Sequence, residues 1–341
     1  MSSAPQSSGS SRSAETHADG PSAGIEWLNC LVPAVFGLLT FLMCIFPMRD
    51  TDFYWHVRTG ELIWQNMAIP SIDLYTYTDF DKRWIDLHWG YQLLVAAVYH
   101  LGGVNGTILF KAACYTLAVM LGWYATGKRV SNWFKALIWF PSLIAISGRA
   151  YERPEMISLI CLAATLWLLE RIPKNPRLIW VVPGLLIVWT NFHALFVLGV
   201  VVCGAFVAGG LGLNLMARRS GFLADAQLPT KSLIVLGGLA LAAPIINPYL
   251  EEGWLFPVEL YRKFSVEHDF YSPRVGEFMQ PKAFLDQTLA KRKMQGKSNG
   301  IEMLFAGEGM IFPFAEMAIF VIAVAACAYL LVKKRRVSLY R

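Results

Sequence analysis

The chain has 341 residues, 55% of them hydrophobic and only 16% charged, with a formal net charge of +6 and a mean hydropathy of +0.44. So apolar and charge-poor a composition excludes an ordinary soluble protein and predicts an all-α polytopic membrane protein. Nucleic acid is excluded as a partner, because the basic residues lie dispersed in short clusters between apolar runs, where membrane topology accounts for them.

Residues 1–25 are rich in Ser, Gly, Pro and Ala, cannot bury a core, and are expected to form a disordered cytoplasmic tail. No signal peptide is expected to open the chain: the first apolar run comes late and is about 20 residues long, which is spanning length, so residues 26–48 are read as a retained first transmembrane helix. The six cysteines (Cys30, Cys44, Cys114, Cys161, Cys203 and Cys327) all fall in or beside apolar segments with no CxxC spacing, and read as small core hydrophobes rather than a disulfide or zinc framework.

Apolar runs occur at roughly 29–48, 104–126, 133–148, 155–170, 178–192, 194–216, 231–247 and 311–332, which predicts about eight transmembrane helices. The mostly apolar stretch 88–101 is short for a span and decides the orientation of everything after it. If it lies in the interface as an amphipathic helix, the clusters around Lys128, Arg171, Arg218 and Lys333 all fall on the cytoplasmic side, as the excess of Lys and Arg in cytoplasmic loops requires. If it crosses, the first three clusters fall outside. The expected organisation is therefore a first external loop with interfacial helices over 49–103, a transmembrane core over 104–247, an external loop over 248–310, and a last span with a basic cytoplasmic tail over 311–341. Both termini are cytoplasmic in this reading, and the expected location is a bacterial inner (plasma) membrane.

That orientation collects the unusual polar residues on one external face. Asp50 and Asp52 follow the first span, where ionised groups are costly unless they pair, bind a cation or face water. They are two apart, so an extended segment would point both one way, whereas Asp52 and His56, four apart, share a face if the segment is helical. Such oxygen and imidazole donors suit a divalent cation, Mg or Mn, or a general base. The bland alternative is a solvated loop whose aspartate caps an interfacial helix. His88, after Asp86, opens the 88–101 stretch beside these acids. Arg149 and Arg153 flank a turn into Pro154, a residue favoured at the first position of a helix, and guanidinium groups there would grip a phosphate; interfacial anchoring or pairing with Glu152 and Glu155 is the alternative. Asn191 and His193 interrupt two apolar runs, as a tight turn would, and His193 is a candidate for proton or phosphate chemistry.

The acidic motif just after the first span, followed by Asp52-Phe-Tyr-Trp-His-Val-Arg-Thr-Gly-Glu61, Pro70-Ser-Ile-Asp73 and Trp84-Ile-Asp-Leu-His-Trp89, resembles the GT-C superfamily of membrane glycosyltransferases over about residues 30–250. The resemblance implies transfer of a sugar from a polyprenyl-phosphate-linked donor to an extracytoplasmic glycan, lipid or protein acceptor, by an inverting single displacement. It implies that a first-loop acid, Asp50 or Asp52, is the base or a metal ligand. Substrate contacts are expected, from position and side-chain chemistry rather than from the resemblance, at His56, His88, Arg149, Arg153, Asn191 and His193. Two other classes compete. A transporter or lipid flippase would place charges and helix breaks near the bilayer midplane and often show repeats; Lys111 lies within a span, but the other unusual polar residues sit at span ends. A non-catalytic membrane scaffold would need none of the external residues.

Overall fold

A computed structural model describes residues 23–78, 81–127, 130–220, 228–267, 270, 281–297 and 311–332. Among them the chain is all-helical, apart from one isolated antiparallel bridge between Ile72 and Arg83 in the first loop. Every expected apolar run is helical: α1 (Ala23–Met43), α3 (Trp89–Ala125), α4 (Asn132–Gly148), α5 (Glu155–Arg171), a 3-10 turn (Pro176–Trp180) running into α6 (Val181–Thr190), α7 (Phe196–Ser220), α8 (Thr230–Ala242) and, at the end, Ile311–Val332. A helix not among the expected spans, α2 (Phe53–Asn66), lies in the first loop. The segment after 248, expected as an irregular loop, contains α9 (Leu250–Val266) and α10 (Pro281–Met294), and the last helix is α11.

Two of these helices, Trp89–Ala125 and Phe196–Leu215, are long and apolar enough to cross a bilayer. A third candidate is the pair Thr230–Ile245 and Leu250–Val266, bent by 95° at its break. Length and composition thus qualify two or three spans of the eight expected, since Asn29–Met43, Pro176–Thr190 and Ala315–Ala326 are shorter apolar helices. The first run also differs in its bounds. Its helix starts at Ala23, inside the expected tail (whose residues 1–22 lie outside the described ones), and ends at Met43 rather than 48, because Pro47 disfavours helical backbone at Phe46.

The 88–101 stretch is the first arm of α3. The helix breaks at Gly103, whose backbone (φ 58, ψ −152) only glycine adopts without strain. The hydroxyl of Thr107 donates to the carbonyl of Gly103 at 3.0 Å, satisfying an acceptor at the break. The arm before the break packs on α2, and the arm after it is about 33 Å long at 1.5 Å per residue, matching a hydrocarbon core of about 30 Å.

The α2–α3 contact is close because Gly60 has no side chain. A Cβ there would lie 2.1 Å from the backbone oxygen of Gln92 and 2.8 Å from Ala96 Cβ. Gly60→Ala is expected to force the helices apart at a cost of about 1–3 kcal/mol or more, read as a lower unfolding midpoint of the solubilised protein; an unchanged midpoint would refute this packing.

The interior falls into three apolar clusters. The largest joins α5, α6, α7 and α8 around Trp189, Leu186 and Phe196. A second, around Phe53, Tyr91, Tyr115 and Met156, seats α2 and α3 against α5. A third packs α1 on α3 and α4 through Phe36, Trp123 and Leu143. The second cluster includes Tyr91 and Tyr115, whose hydroxyls hydrogen-bond the turn that carries Arg153.

Candidate functional site

Asp50 and Asp52, two residues apart, have different surroundings. The Asp50 side chain is 2% exposed, and its Oδ1 accepts from Arg153 Nε at 3.1 Å and Nη2 at 3.0 Å. Its Oδ2 is buried without a hydrogen-bond partner. The Asp52 side chain is 55% exposed, and its Oδ2 lies 3.6 Å from the same Arg153 guanidinium. Asp52 does occupy the N-cap position of α2, yet its side chain makes no capping hydrogen bond, so capping does not explain its presence. Its carbonyl accepts from the His56 N–H at 3.3 Å, which starts the first helical turn and brings His56 under the acids.

Arg153 is held in place by a buried ion pair absent from the expected site. Lys111 Nζ lies 2.7 Å from Glu152 Oε1, both side chains fully buried. The same ammonium donates to the Phe46 carbonyl at 3.3 Å and sits 3.6 Å from the centre of the Phe46 ring. One lysine on α3 therefore fastens both the loop that carries Asp50 and the loop that carries Arg153. Two tyrosines add to this: Tyr91 donates to the Glu152 carbonyl at 2.7 Å, and the Tyr115 hydroxyl lies 3.2 Å from the carbonyls of Arg149 and Tyr151.

Beside the acids run three histidines from three different elements. The His56 ring of α2 is 5.9 Å from that of His88, and His88 is 5.2 Å from His193, which lies between α6 and α7. Each has its own setting. His193 Nδ1 is 2.7 Å from Ser158 Oγ, which also accepts from Trp189 Nε1 at 2.8 Å. His56 is buried against the edge of Tyr91, with Nδ1 unpartnered. Burial, with the neighbouring His88 second, pulls both His56 and His193 down to about 3, so both are neutral at physiological pH. His88 stands at the N-cap position of α3, its Nδ1 3.4 Å from the buried Asp86 carboxylate.

The first loop is clamped to the end of α8 and the start of α9. The Asp86 N–H donates to the Tyr249 hydroxyl at 3.1 Å, and Arg83 pairs with Glu252. Asn191, expected to contact substrate, is a bracket in this structure. Its amide donates to the carbonyls of Ile187 and Ile246, while its Oδ1 accepts from Trp89 Nε1 at 3.1 Å. Gly90 passes under it, with a backbone hydrogen bond of 3.1 Å to the Asn191 carbonyl.

Arg149 faces a different space from Arg153. Together with Glu155, Ser158 and Glu316 of α11 it lines a groove of about 300 Å³ whose other walls are mostly apolar, among them Ile146, Leu159, Leu162, Leu195 and Leu198. A mostly apolar groove with a few polar groups in its wall fits an amphiphile. Pro154, expected at the first helical position, stands just before it, with α5 starting at Glu155.

The fit to a divalent cation is incomplete. Asp50 Oδ2 has the chemistry of a ligand, but Arg153 already lies against both acids. Among the described residues no group of three His, Cys, Asp or Glu side chains has the geometry to hold a metal ion.

Of the expected site residues, the structure gathers Asp50, Asp52 and Arg153 into one group and His56, His88 and His193 into a second. The charge of Arg153 bears on His56, which links the two. Lys111, Glu152, Asp86 and Ser158 are the residues that sequence reasoning missed as parts of the site. For Lys111 and Glu152 the available signal was a charge inside an apolar run and an acid at the end of another, which on this topology face each other. No protein-family model, curated protein or solved structure matches the chain.

Proposed function

We propose that this chain is a membrane glycosyltransferase of the kind its first loop resembles, moving a sugar from a polyprenyl-phosphate donor to an acceptor outside the cytoplasm. The observation that carries the reading is the mostly apolar groove lined also by Arg149, Glu155 and Ser158, which meets the row of histidines through the Ser158–His193 contact. In the proposed membrane arrangement all eight apolar runs cross, α2 and the first arm of α3 lie in the external interface, and both termini are cytoplasmic. The Gly103 break supports this, because it separates an arm packed on α2 from an arm of spanning length. A bacterial plasma membrane is the proposed location.

In the reaction the acceptor oxygen attacks the anomeric carbon, the bond from that carbon to the phosphate oxygen breaks, and the electron pair leaves with the lipid phosphate. Arg149 in the wall of the groove is placed to hold that phosphate, and guanidinium groups do so through paired hydrogen bonds. Arg153, committed to Asp50, acts as a fixed positive wall behind the acids. Asp52 is the exposed acid and faces the incoming acceptor.

Asp52→Asn is the direct test. With labelled polyprenyl-phosphate sugars and a membrane extract as the acceptor source, transfer is expected to fall by about 100-fold, as when a reactant is no longer held in position, at an unchanged unfolding midpoint because Asp52 is exposed and caps nothing. Full transfer by the variant would sink the role of Asp52. Absence of transfer by the unaltered protein with every such donor would sink the transferase reading.

A further inference from the structure

His88 is the one member of the histidine row that is both oriented by a carboxylate and open to solvent. Its side chain is 25% exposed, while that of Asp86 is fully buried. Asp86 is fixed from two sides: its Oδ1 accepts from the His88 N–H at 2.9 Å, and its own N–H is taken up by Tyr249. Burial pushes the Asp86 carboxyl up, but hydrogen bonds from the His88 side chain and backbone N–H offset this and hold it below the ordinary carboxylate value. The carboxylate 3.4 Å from Nδ1 fixes which edge of the ring faces Asp86, with Nε2 on the opposite edge. His56 and His193 lack this arrangement: His56 is buried with Nδ1 unpartnered, and the Nδ1 of His193 is engaged by the Ser158 hydroxyl rather than by a carboxylate.

We propose that His88, oriented by Asp86, is the general base that takes the proton from the acceptor hydroxyl. This rests on the transferase reading and deepens it by dividing the labour of the face. Asp52 holds the acceptor. As the acceptor oxygen forms its bond to the anomeric carbon, its proton passes to His88 Nε2. The phosphate leaves with the electron pair of the broken bond, and the imidazolium is stabilised by Asp86 until it releases the proton to solvent. The groups around His88 suit the step. His56 from α2 and His193 from the α6–α7 turn are uncharged neighbours that do not compete for the proton, Tyr249 steadies Asp86, and the Arg153 cation lies beyond His56.

Two measurements on the full-length protein in detergent test this. The first needs no substrate: carbethoxylation by diethyl pyrocarbonate, followed by peptide mass mapping, reads the reactivity of each imidazole. His88 is expected to label readily and His56 and His193 to be protected. In Asp86→Asn the rate at His88 should fall several-fold while the exposed His100, paired with Glu61, labels at its original rate as the internal reference. A His88 no more reactive than His193, or a rate indifferent to Asp86→Asn, would overturn the dyad. The second is transfer: His88→Gln is expected to lower kcat by about 100-fold or more with little change in KM, whereas Asp52→Asn should raise KM as well. Undiminished kcat in His88→Gln would overturn the assignment. If the unaltered protein transfers no sugar yet His88 labels as expected, the substrate reading fails while the Asp86–His88 dyad stands.

Discussion

Lys111→Met is expected to destabilise the protein by about 3–5 kcal/mol, because it leaves the Glu152 carboxylate buried without its countercharge. Lys111 and Glu152 are both fully buried and 2.7 Å apart, so water cannot replace the lost ammonium. Glu152→Gln alone should be comparably harmful, since it leaves the ammonium uncompensated. The double variant Lys111→Met/Glu152→Gln is expected to recover much of the loss, as replacing both partners of a buried pair is often near neutral. Unfolding midpoints of the four proteins under identical detergent conditions give the cycle. Additive losses would show that the two side chains do not interact. The consequence extends to function, because Lys111 also holds the Phe46 carbonyl. Through Phe46 and Glu152 it sets the two loops whose meeting makes the Asp50–Arg153 pair, so the double variant should fold and still transfer poorly.

Arg153→Ala is expected to lower stability by about 3 kcal/mol, the low end for breaking a buried pair, because the Arg153 side chain keeps 26% of its exposure. Asp50 is what makes the substitution costly. It is almost completely buried, one of its oxygens already lacks a partner, and the other relies on two guanidinium N–H groups. Arg153→Lys should recover only part of the loss, since an ammonium cannot reproduce the planar fork. Asp50→Asn with Arg153→Ala should recover more, because an amide costs less than an ion to bury unpaired. Arg149→Ala serves as the contrast: it is expected to weaken binding of a polyprenyl phosphate with little loss of stability. Equal losses of stability at Arg149 and Arg153 would contradict the separate roles that their surroundings give them.

The face on which these residues meet was legible before its geometry was. The bias of basic clusters placed 50–56, 86–88, 149–155, 191–193 and 247–252 at one set of helix ends, and the structure brings the same segments into contact through Asp50–Arg153, Asp86–Tyr249, Trp89–Asn191 and His88–His193. Charge asymmetry survives in sequence because it depends only on which residues follow which. Partner choice does not. Arg149 and Arg153 look alike at four residues apart, yet α4 ends at one and α5 begins after the other, so they face different spaces. Asn191 marks a tight turn between apolar runs, but its hydrogen bonds to Ile246 and Trp89 come from segments far apart in the chain.

The amino-acid sequence by itself determined the helical class, the approximate position of each apolar helix, the division between the 88–101 stretch and the run at 104–126, and the gathering of acids, histidines and arginines toward one side. All of these follow from local composition, from the glycine and proline content of short segments and from the sign of charge along the chain. Only the tertiary structure decided that Asp50 is spent on Arg153 while Asp52 is not. The same is true of the fully buried Lys111–Glu152 pair behind both and of Asp86 as the carboxylate that orients His88. The physical reason is that an ionised group's role depends on which countercharge reaches it once water is removed, and that is settled by packing between helices remote in sequence.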